Sequence, residues 1–150
     1  ALQSQYDYTV VDTLTALDES MLTILDMADN ILLITTSEIP SIKNTRLFFE
    51  VIDALNYPPE KTHLILNKAD PKSSVTPQDI QASIKHPVFA IIERDDRATT
   101  QAVQVGIPAV MNQKNAPFAI AVTRLAKQLA LTAEPAKAAA GATRRGGLFR

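Results

Sequence analysis

Apolar runs of strand length alternate along this chain with segments of helical periodicity, and this alternation constrains the fold more than any other feature. The first run, Tyr6 to Asp12, ends in a carboxylate, and the second, Asn30 to Thr36, follows after a helix-length connection. A third run, His63 to Asn67, and a fourth, Pro87 to Ile92, are also separated by helical segments. Strands that alternate with helices form parallel sheets. We therefore predict an α/β domain of three layers, a mainly parallel sheet with helices on both faces.

The helices are predicted from apolar residues spaced three and four positions apart. They cover Leu17 to Ala28, Ile39 to Leu55, a short segment from Thr76-Pro77, Arg97 to Val105, and about Pro117 to Leu131. Beyond Leu131 the composition changes to Ala, Pro, Gly and basic residues, which is typical of a flexible segment. We therefore predict one folded domain at residues 1–131 and a flexible basic tail at 132–150.

Composition excludes several classes of function. The 150 residues carry a formal net charge of -1, so there is no overall charge that would attract nucleic acid. The chain has no cysteine, which excludes disulfides and thiolate metal sites and fits a cytoplasmic protein. His63 and His86 are the only histidines, so a metal site built from histidines is not expected.

Polar residues follow three of the predicted strands, at the edge where parallel sheets bind ligands. Asp12 ends the first strand, although an acid there also serves as a turn or helix-capping residue. Asn67-Lys68-Ala69-Asp70 ends the third, where an amide and a carboxylate can face a nucleobase; Asp-Pro is also a common turn start. Arg94 to Arg97 follows the fourth, and such a charge run is usually a solvated loop.

No glycine-rich phosphate-binding loop is present in this sequence. The four glycines are Gly106, Gly141, Gly146 and Gly147, and none belongs to a G-x-x-x-x-G-K-[ST] pattern. Without that loop there are neither backbone amides around a phosphate nor a lysine on its charge. We therefore predict that this chain does not hydrolyse ATP unaided.

The order of these segments resembles the C-terminal half of the MinD/ParA-type deviant-Walker P-loop ATPases over roughly residues 5 to 131. The segments that carry the resemblance are Tyr6 to Thr13, Ala28 to Thr36, Ile65 to Lys68, and Gly106 to Pro108. Ser37 to Ser41 and Asn56 to Lys61 look most like the CpaE/TadZ branch. That branch contains pilus-assembly and polar-localisation ATPases that often follow a receiver-like domain of the response-regulator type.

The resemblance implies roles for individual residues. Asp12 resembles the Walker B acid, which would make it a catalytic and metal-binding residue near Mg²⁺ and the γ-phosphate. Asn67 matches the adenine-contacting asparagine, and Asp95, Ile107 and Pro108 match segments that close around the base. The implied cofactors are ATP and Mg²⁺ in the intact protein, with neither bound tightly by this fragment.

Two positions depart from the resembled pattern. Thr13-Leu14-Thr15 replaces the usual Pro or Gly after the Walker B acid, and Glu93 stands where a proline commonly precedes the base loop. These departures bear on the roles of Asp12 and Asp95 rather than on the fold.

The implied function is spatial or regulatory, in Flp/Tad-type pilus assembly or polar localisation. The implied partners are a missing N-terminal segment that carries the P-loop, a second copy of the chain, and components of the pilus or secretion machinery. The strand of the P-loop segment would lie beside Ile31 to Thr35. No nucleic acid is expected. Membrane contact through Arg144, Arg145 and Arg150 is not expected either, because Leu148-Phe149 offers little apolar area. The implied location is cytoplasmic, polar or membrane-associated through partners.

Two other functional classes remain open on sequence alone. A GTPase fragment is one, because Asn67-Lys68-Ala69-Asp70 satisfies the N-K-x-D guanine pattern. Against it, no glycine stands three residues after Asp12 and no clear Ser-Ala-Lys follows the fourth strand. The other is a non-catalytic interaction module that has kept only the scaffold.

Overall fold

Helices and strands alternate along most of the chain. The computed structural model describes residues 5–13 and 17–145, of which 132–145 are described as helical backbone. The elements are α1 (Glu19–Met27), β1 (Ile31–Thr35), α2 (Ile39–Ala54), β2 (Thr62–Ala69), α3 (Pro77–Ile84), β3 (Val88–Glu93), α4 (Asp96–Val105), α5 (Ala109–Asn112) and α6 (Pro117–Arg145). The chain divides into two units, residues 1–31 and 32–150.

The first predicted strand is not formed in the structure. Residues 6–13 adopt neither helix nor strand and are exposed, Val10 to 91%. Tyr6, Tyr8 and Val10 alternate with polar residues and so favour an extended conformation locally. A strand also needs backbone hydrogen bonds to a neighbouring strand, and local preference cannot supply those. The prediction of a strand at Tyr6 to Asp12 is therefore wrong for this chain.

α1 confirms the predicted helix in the first unit. It begins two residues later than the predicted Leu17, because Asp18 takes the N-cap position. The Asp18 Oδ1 atom accepts a hydrogen bond from the Met21 N–H at 2.8 Å, which satisfies one of the free amides of the first turn.

The sheet of the described residues has three strands in the order β1-β2-β3. β2 and β3 are parallel, with Leu64 paired to Val88 and Leu66 to Ile91. The strand β2 is buried through Leu64, Ile65 and Leu66 at 1% exposure each, as expected for a strand covered on both faces. The predicted α/β fold with a parallel sheet is confirmed.

Helices pack on both faces of this sheet. On one face, α2 and α3 supply Phe49, Ile80 and Ile84 to a cluster with Leu64 and Leu66. On the other face, α6 covers the sheet; this cluster contains Ile65, Ile92 and Leu125, with Phe118, Val122 and Leu129 packed against it. Alternate residues of β2 therefore enter opposite cores, which is the arrangement of a three-layer domain.

The sequence signals at helix ends act as predicted. Thr76 and Asp79 form a capping box at the start of α3, and the hydrogen bond from the Thr76 hydroxyl lowers the pKa of the Asp79 carboxyl. Gly106 ends α4 in the left-handed region, at φ +72°.

α6 is longer than predicted, since its helix continues from Leu131 to Arg145. Alanine has the highest helix propensity of the amino acids, and this segment is rich in alanine. The flexibility of the tail stays a prediction, and Leu148, Phe149 and Arg150 lie outside the described residues. Within the described part of the chain, no helix combines the length and hydropathy needed to cross a bilayer.

We expect His63 to make the stability of the domain dependent on pH. Its imidazole lies against the Phe89 ring, with centroids 4.3 Å apart, and burial lowers the pKa of His63. The unfolded chain then binds a proton more readily than the folded one. The contribution of His63 to the free energy of unfolding is therefore fully present above the unfolded pKa of about 6.5, and it is lost as the pH falls through the lowered pKa of the folded state. We expect urea unfolding to show a loss of stability between about pH 7.5 and about pH 5.5 that is smaller in His63→Gln. An equal loss in both proteins would contradict this assignment.

Candidate functional site

The carboxyl ends of β2 and β3 meet at one edge of the sheet. The Arg94 N–H donates to the Ala69 carbonyl oxygen at 3.0 Å, so the loop after β3 is held against the end of β2. This contact brings the Asn67 to Asp70 segment together with the Arg94 to Asp96 segment, two of the three candidate segments from the sequence. Ligands of parallel α/β sheets bind at this edge.

β2 ends in a bulge centred on Lys68. Lys68 has φ +52°, in the left-handed region that side chains other than glycine rarely adopt, and the pairing with β3 shifts between Leu66 and Ala69. The Asn67 Oδ1 atom accepts a hydrogen bond from the Lys68 N–H at 2.9 Å. The bulge leaves Lys68 exposed and returns Ala69 to the core at 8% exposure.

Charged side chains from both segments interact at this edge. The Arg94 Nε donates to both carboxylate oxygens of Asp96, at 3.0 and 2.9 Å, and its Nη2 lies 2.8 Å from Oδ2. This hydrogen bonding lowers the pKa of the Asp96 carboxyl and raises the pKa of the Arg94 guanidinium. Asp70 also raises the pKa of Arg94, and Lys68 also lowers that of Asp96, so the Arg94–Asp96 pair interacts with one charge of each sign on the segment after β2.

Two candidate acids have structural partners. Asp95 is the N-cap of α4, with its Oδ1 accepting from the Ala98 N–H at 3.0 Å. Asp70 Oδ1 accepts from the Lys72 N–H at 2.8 Å, closing the turn that contains Pro71. The turn interpretation of Asp70 is therefore correct, whereas Asp95 caps a helix within a charge run that was interpreted as a solvated loop. One oxygen of each carboxylate accepts a backbone hydrogen bond.

A shallow depression of about 270 Å³ lies beside Asp95. It is lined by Asp95, Arg97, Ala98, Gln101, Gln113, Ala116 and Pro117. The Gln113 Nε2 atom donates to the Ala98 carbonyl oxygen at 3.0 Å, which fixes the loop after α5 against the start of α4. No sequence motif pointed to Gln113, because its place depends on the return of the chain after α5.

Ile107 and Pro108, two further predicted site residues, are not brought into this cluster. Ile107 and Pro108 follow the far end of α4 from Asp95, and a helix of 10 residues is about 15 Å long. Pro108 caps α5, and Ile107 is 41% exposed. Asp12 is exposed in the first unit, in the segment without regular structure. No group of three or more potential metal-ligating side chains occurs among residues 5–13 and 17–145.

A second polar cluster, at the end of β1, was not found from the sequence. The Thr45 Oγ1 donates to the Thr35 Oγ1 at 2.9 Å or to the Ser41 carbonyl at 2.8 Å. The Ser41 Oγ lies 3.1 Å from Thr35 Oγ1 and accepts from the Thr36 N–H at 3.1 Å. Thr35 and Thr45 are 1% and 4% exposed, so these hydroxyls join β1 to the first turns of α2 inside the protein.

Comparison with known proteins identifies this fold. No family model matches the chain. It is 23% identical over 112 residues to the septum site-determining protein MinD of Thermotoga maritima, a match that covers 71% of this chain and 41% of that protein.

Among solved structures, the chain superimposes on a ParA family ATPase from Chlorobium tepidum with a TM-score of 0.77 and 22% identity, over 83% of this chain and 52% of that one. The fold is that of the ParA and MinD ATPases. MinD of Pyrococcus horikoshii, complexed with Mg-ADP, matches with a TM-score of 0.59 and 24% identity, over 73% of this chain and 42% of that one. MinD of Aquifex aeolicus, in a complex with MinC, matches with a TM-score of 0.64 and 18% identity, over 75% and 47% of the two chains. The chain thus spans about half or less of the length of each of these proteins.

Proposed function

We propose that this chain is the base-recognition half of a ParA/MinD-like ATPase, and that the phosphate-binding loop belongs to a separate N-terminal half of the same protein. The observation that carries the proposal is the edge where β2 and β3 end, at which the Arg94 N–H binds the Ala69 carbonyl and the Lys68 N–H binds the Asn67 side chain. The ParA/MinD fold supports it, and so does the Mg-ADP held by the Pyrococcus horikoshii MinD. ATP and Mg²⁺ are the proposed ligands of the intact protein.

Asn67 is the proposed base-contacting residue. Its Oδ1 accepts the Lys68 N–H, so its Nδ2 hydrogens are directed to other acceptors, such as a ring nitrogen of a purine. Asp12 is proposed as the acid near Mg²⁺, with Asp95, Ile107 and Pro108 closing on the base when nucleotide binds. The depression beside Asp95 and Gln113 is the place where such closure would begin.

Adenine is favoured over guanine because of the turn at Asp70. A guanine-binding N-K-x-D acid must accept hydrogen bonds from the N1 and N2 positions of the base. Here one Asp70 oxygen already accepts the Lys72 N–H, and Arg94 lies close enough to interact with the same carboxylate. Guanine bound there would therefore share the Asp70 Oδ1 atom with the Lys72 N–H.

The test uses the parent polypeptide, meaning the natural protein with any residues that precede Ala1. We expect it to bind a fluorescent ATP analogue more tightly than the GTP analogue, and Asn67→Ala to weaken ATP binding by about 10-fold, the loss of one hydrogen bond of about 1.4 kcal/mol. The matched control is Asn44→Ala, an exposed asparagine on α2, which should leave binding unchanged. Preferential GTP binding that Asp70→Ala abolishes would overturn the choice of base.

The cellular role proposed here is pilus assembly or polar localisation, of the kind found in the CpaE/TadZ branch, through nucleotide-dependent dimerisation and contact with pilus or secretion components. It is supported by Ser37 to Ser41 and Asn56 to Lys61, the segments that resemble this branch. Deletion of the gene should abolish surface pili of the Flp/Tad type in a host that makes them. A deletion strain with normal pili would exclude this role and favour a non-catalytic interaction module, more so if the parent polypeptide lacks a P-loop lysine.

A further inference from the structure

Arg94 and Asp96 form an ion pair at the edge where β2 and β3 end. The resemblance to the ParA/MinD ATPases gives a role to Asp95, which stands between them, but none to either member of the pair. The Arg94 Nε donates to both Asp96 oxygens, at 3.0 and 2.9 Å, and its Nη2 lies 2.8 Å from Oδ2. Asp96 is the first residue of α4, where the helix dipole favours a negative charge. The pair therefore ties the guanidinium to the start of a helix.

The guanidinium of Arg94 lies beside the segment that follows β2. Asp70 raises the pKa of Arg94 and Lys68 lowers the pKa of Asp96, in both cases through their charges. Between exposed groups such effects are appreciable only over short distances, because water and salt screen them. The ion pair is therefore close to the segment that also carries Asn67, the proposed base-contacting residue.

The flat faces of the Arg94 guanidinium are not used by its contacts with Asp96. The N–H groups of a guanidinium lie in its plane, so hydrogen bonds from Nε and Nη2 leave both faces available. The Arg94 side chain is 59% exposed. A guanidinium face packs against aromatic rings by stacking and cation–π contacts. Arg94 therefore presents a flat surface, fixed by Asp96, next to the place proposed for the base.

The balance of charge favours a base over a phosphate as the ligand of Arg94. Arginine binds phosphate oxygens as readily as it packs on aromatic rings. Here Lys68 and Arg94 interact with Asp70 and Asp96, two charges of each sign, so the cluster has no net positive charge to attract a triphosphate. Packing on a ring uses the faces of the guanidinium and does not require a net charge on the cluster.

We propose that Arg94 stacks on the purine base of the bound nucleotide and that Asp96 is the positioning residue that holds it there. This inference rests on the proposed function, because the base that Arg94 would cover is the one whose edge Asn67 would contact. The two residues would have different effects on specificity. Asn67 would distinguish adenine from guanine through a hydrogen bond, whereas Arg94 would strengthen binding of both purines to the same extent, because their ring systems have the same area.

The first test measures binding of ATP, GTP and inorganic tripolyphosphate to the parent polypeptide by competition with a fluorescent nucleotide. Arg94→Ala should weaken ATP and GTP by the same factor, about 5-fold, as expected for a stacking contact at an exposed site. It should leave the affinity for tripolyphosphate, which has no base, unchanged. Asn67→Ala should instead weaken ATP more than GTP. A loss of tripolyphosphate affinity in Arg94→Ala would show a phosphate contact and overturn the proposal.

Two replacements of Arg94 separate its flat surface from its charge. Arg94→Tyr keeps a planar group that can stack, so it should recover most of the ATP affinity lost in Arg94→Ala. Arg94→Lys keeps the charge without the planar group and should recover little. Recovery by lysine and not by tyrosine would overturn the stacking contact.

Asp96→Asn tests the positioning role. It should weaken ATP binding by about 2-fold in the natural background and have no effect when Arg94 is already alanine, because it acts only through the arginine. Equal effects in both backgrounds would overturn this role. The matched control is Arg46→Ala, an exposed arginine on α2 whose Nε lies 3.4 Å from the Glu50 Oε1, which should leave nucleotide binding unchanged.

These measurements distinguish a failure of the inference from a failure of the proposed function. Natural ATP affinity in Arg94→Ala, together with weakened binding in Asn67→Ala, would overturn the role of Arg94 and leave the proposed function standing. A parent polypeptide that binds neither nucleotide in its natural sequence would overturn both. All variants should keep Tm within about 2 °C of the natural protein, since the side chains that change at residues 94, 96 and 46 are exposed.

Discussion

Phe49→Ala is expected to lower the free energy of unfolding by about 3–5 kcal/mol. Phe49 is 4% exposed and joins α2 to Leu64, Leu66 and Ile80. Its ring also stacks on His86, with centroids 3.6 Å apart and an angle of 9° between the planes, so the variant loses an aromatic contact along with the buried area. Since a domain has about 5–15 kcal/mol of stability in total, this one change would remove a large part of it.

Phe48→Ala is the matched control for this prediction. Phe48 is the neighbouring residue, has the same side chain and helix, but is only half-buried. We expect it to cost about 1 kcal/mol. The measurement is urea unfolding followed by circular dichroism, since the chain contains no tryptophan to serve as a fluorescent probe. Similar losses in the two variants would contradict the packing of α2 described above.

The elements of the core were predictable because burial leaves a local record in the sequence. β1, β2 and β3 are short apolar runs bounded by polar residues. Such patterns depend only on which residues avoid water, so the layers of the domain follow from them. Residues 6–13 show what such a pattern leaves undetermined. The same alternation occurs there, but pairing with a neighbouring strand is not encoded in the segment itself.

The location of the candidate site could be predicted from the sequence, but the arrangement of its residues could not. The positions of Asn67, Asp70 and Arg94 at strand ends follow from the order of the elements, and the structure brings these segments together. The bulge at Lys68 depends on the register between β2 and β3, which is set by residues distant in sequence. The position of Gln113 depends on the path after α5. Neither has a local signature.

The hydroxyl cluster at the end of β1 gives the second stability prediction. Thr45→Val is expected to lower the free energy of unfolding by about 1–3 kcal/mol, because it removes a donor and leaves a buried oxygen without it. The shape of the side chain is nearly unchanged, so the loss reports on the hydrogen bond that the Thr45 hydroxyl donates to the Thr35 Oγ1 at 2.9 Å or to the Ser41 carbonyl at 2.8 Å.

Thr23→Val on α1 is the matched control for the hydroxyl. Its Oγ1 also donates to a backbone carbonyl four residues earlier, that of Glu19 at 2.9 Å, but the residue is exposed. Water can replace that bond, so the stability should change by about 0.5 kcal/mol or less. Both substitutions put valine in a helix, which makes the helix-propensity terms similar. The difference between the two losses of stability therefore measures the effect of burial.

The double variant Thr35→Val/Thr45→Val tests whether the two hydroxyls bind each other as described. If they do, its loss of unfolding free energy should be smaller than the sum of the losses in the single variants. Additive losses would show that Thr35 and Thr45 are not coupled, and that β1 is attached to α2 through its apolar contacts alone.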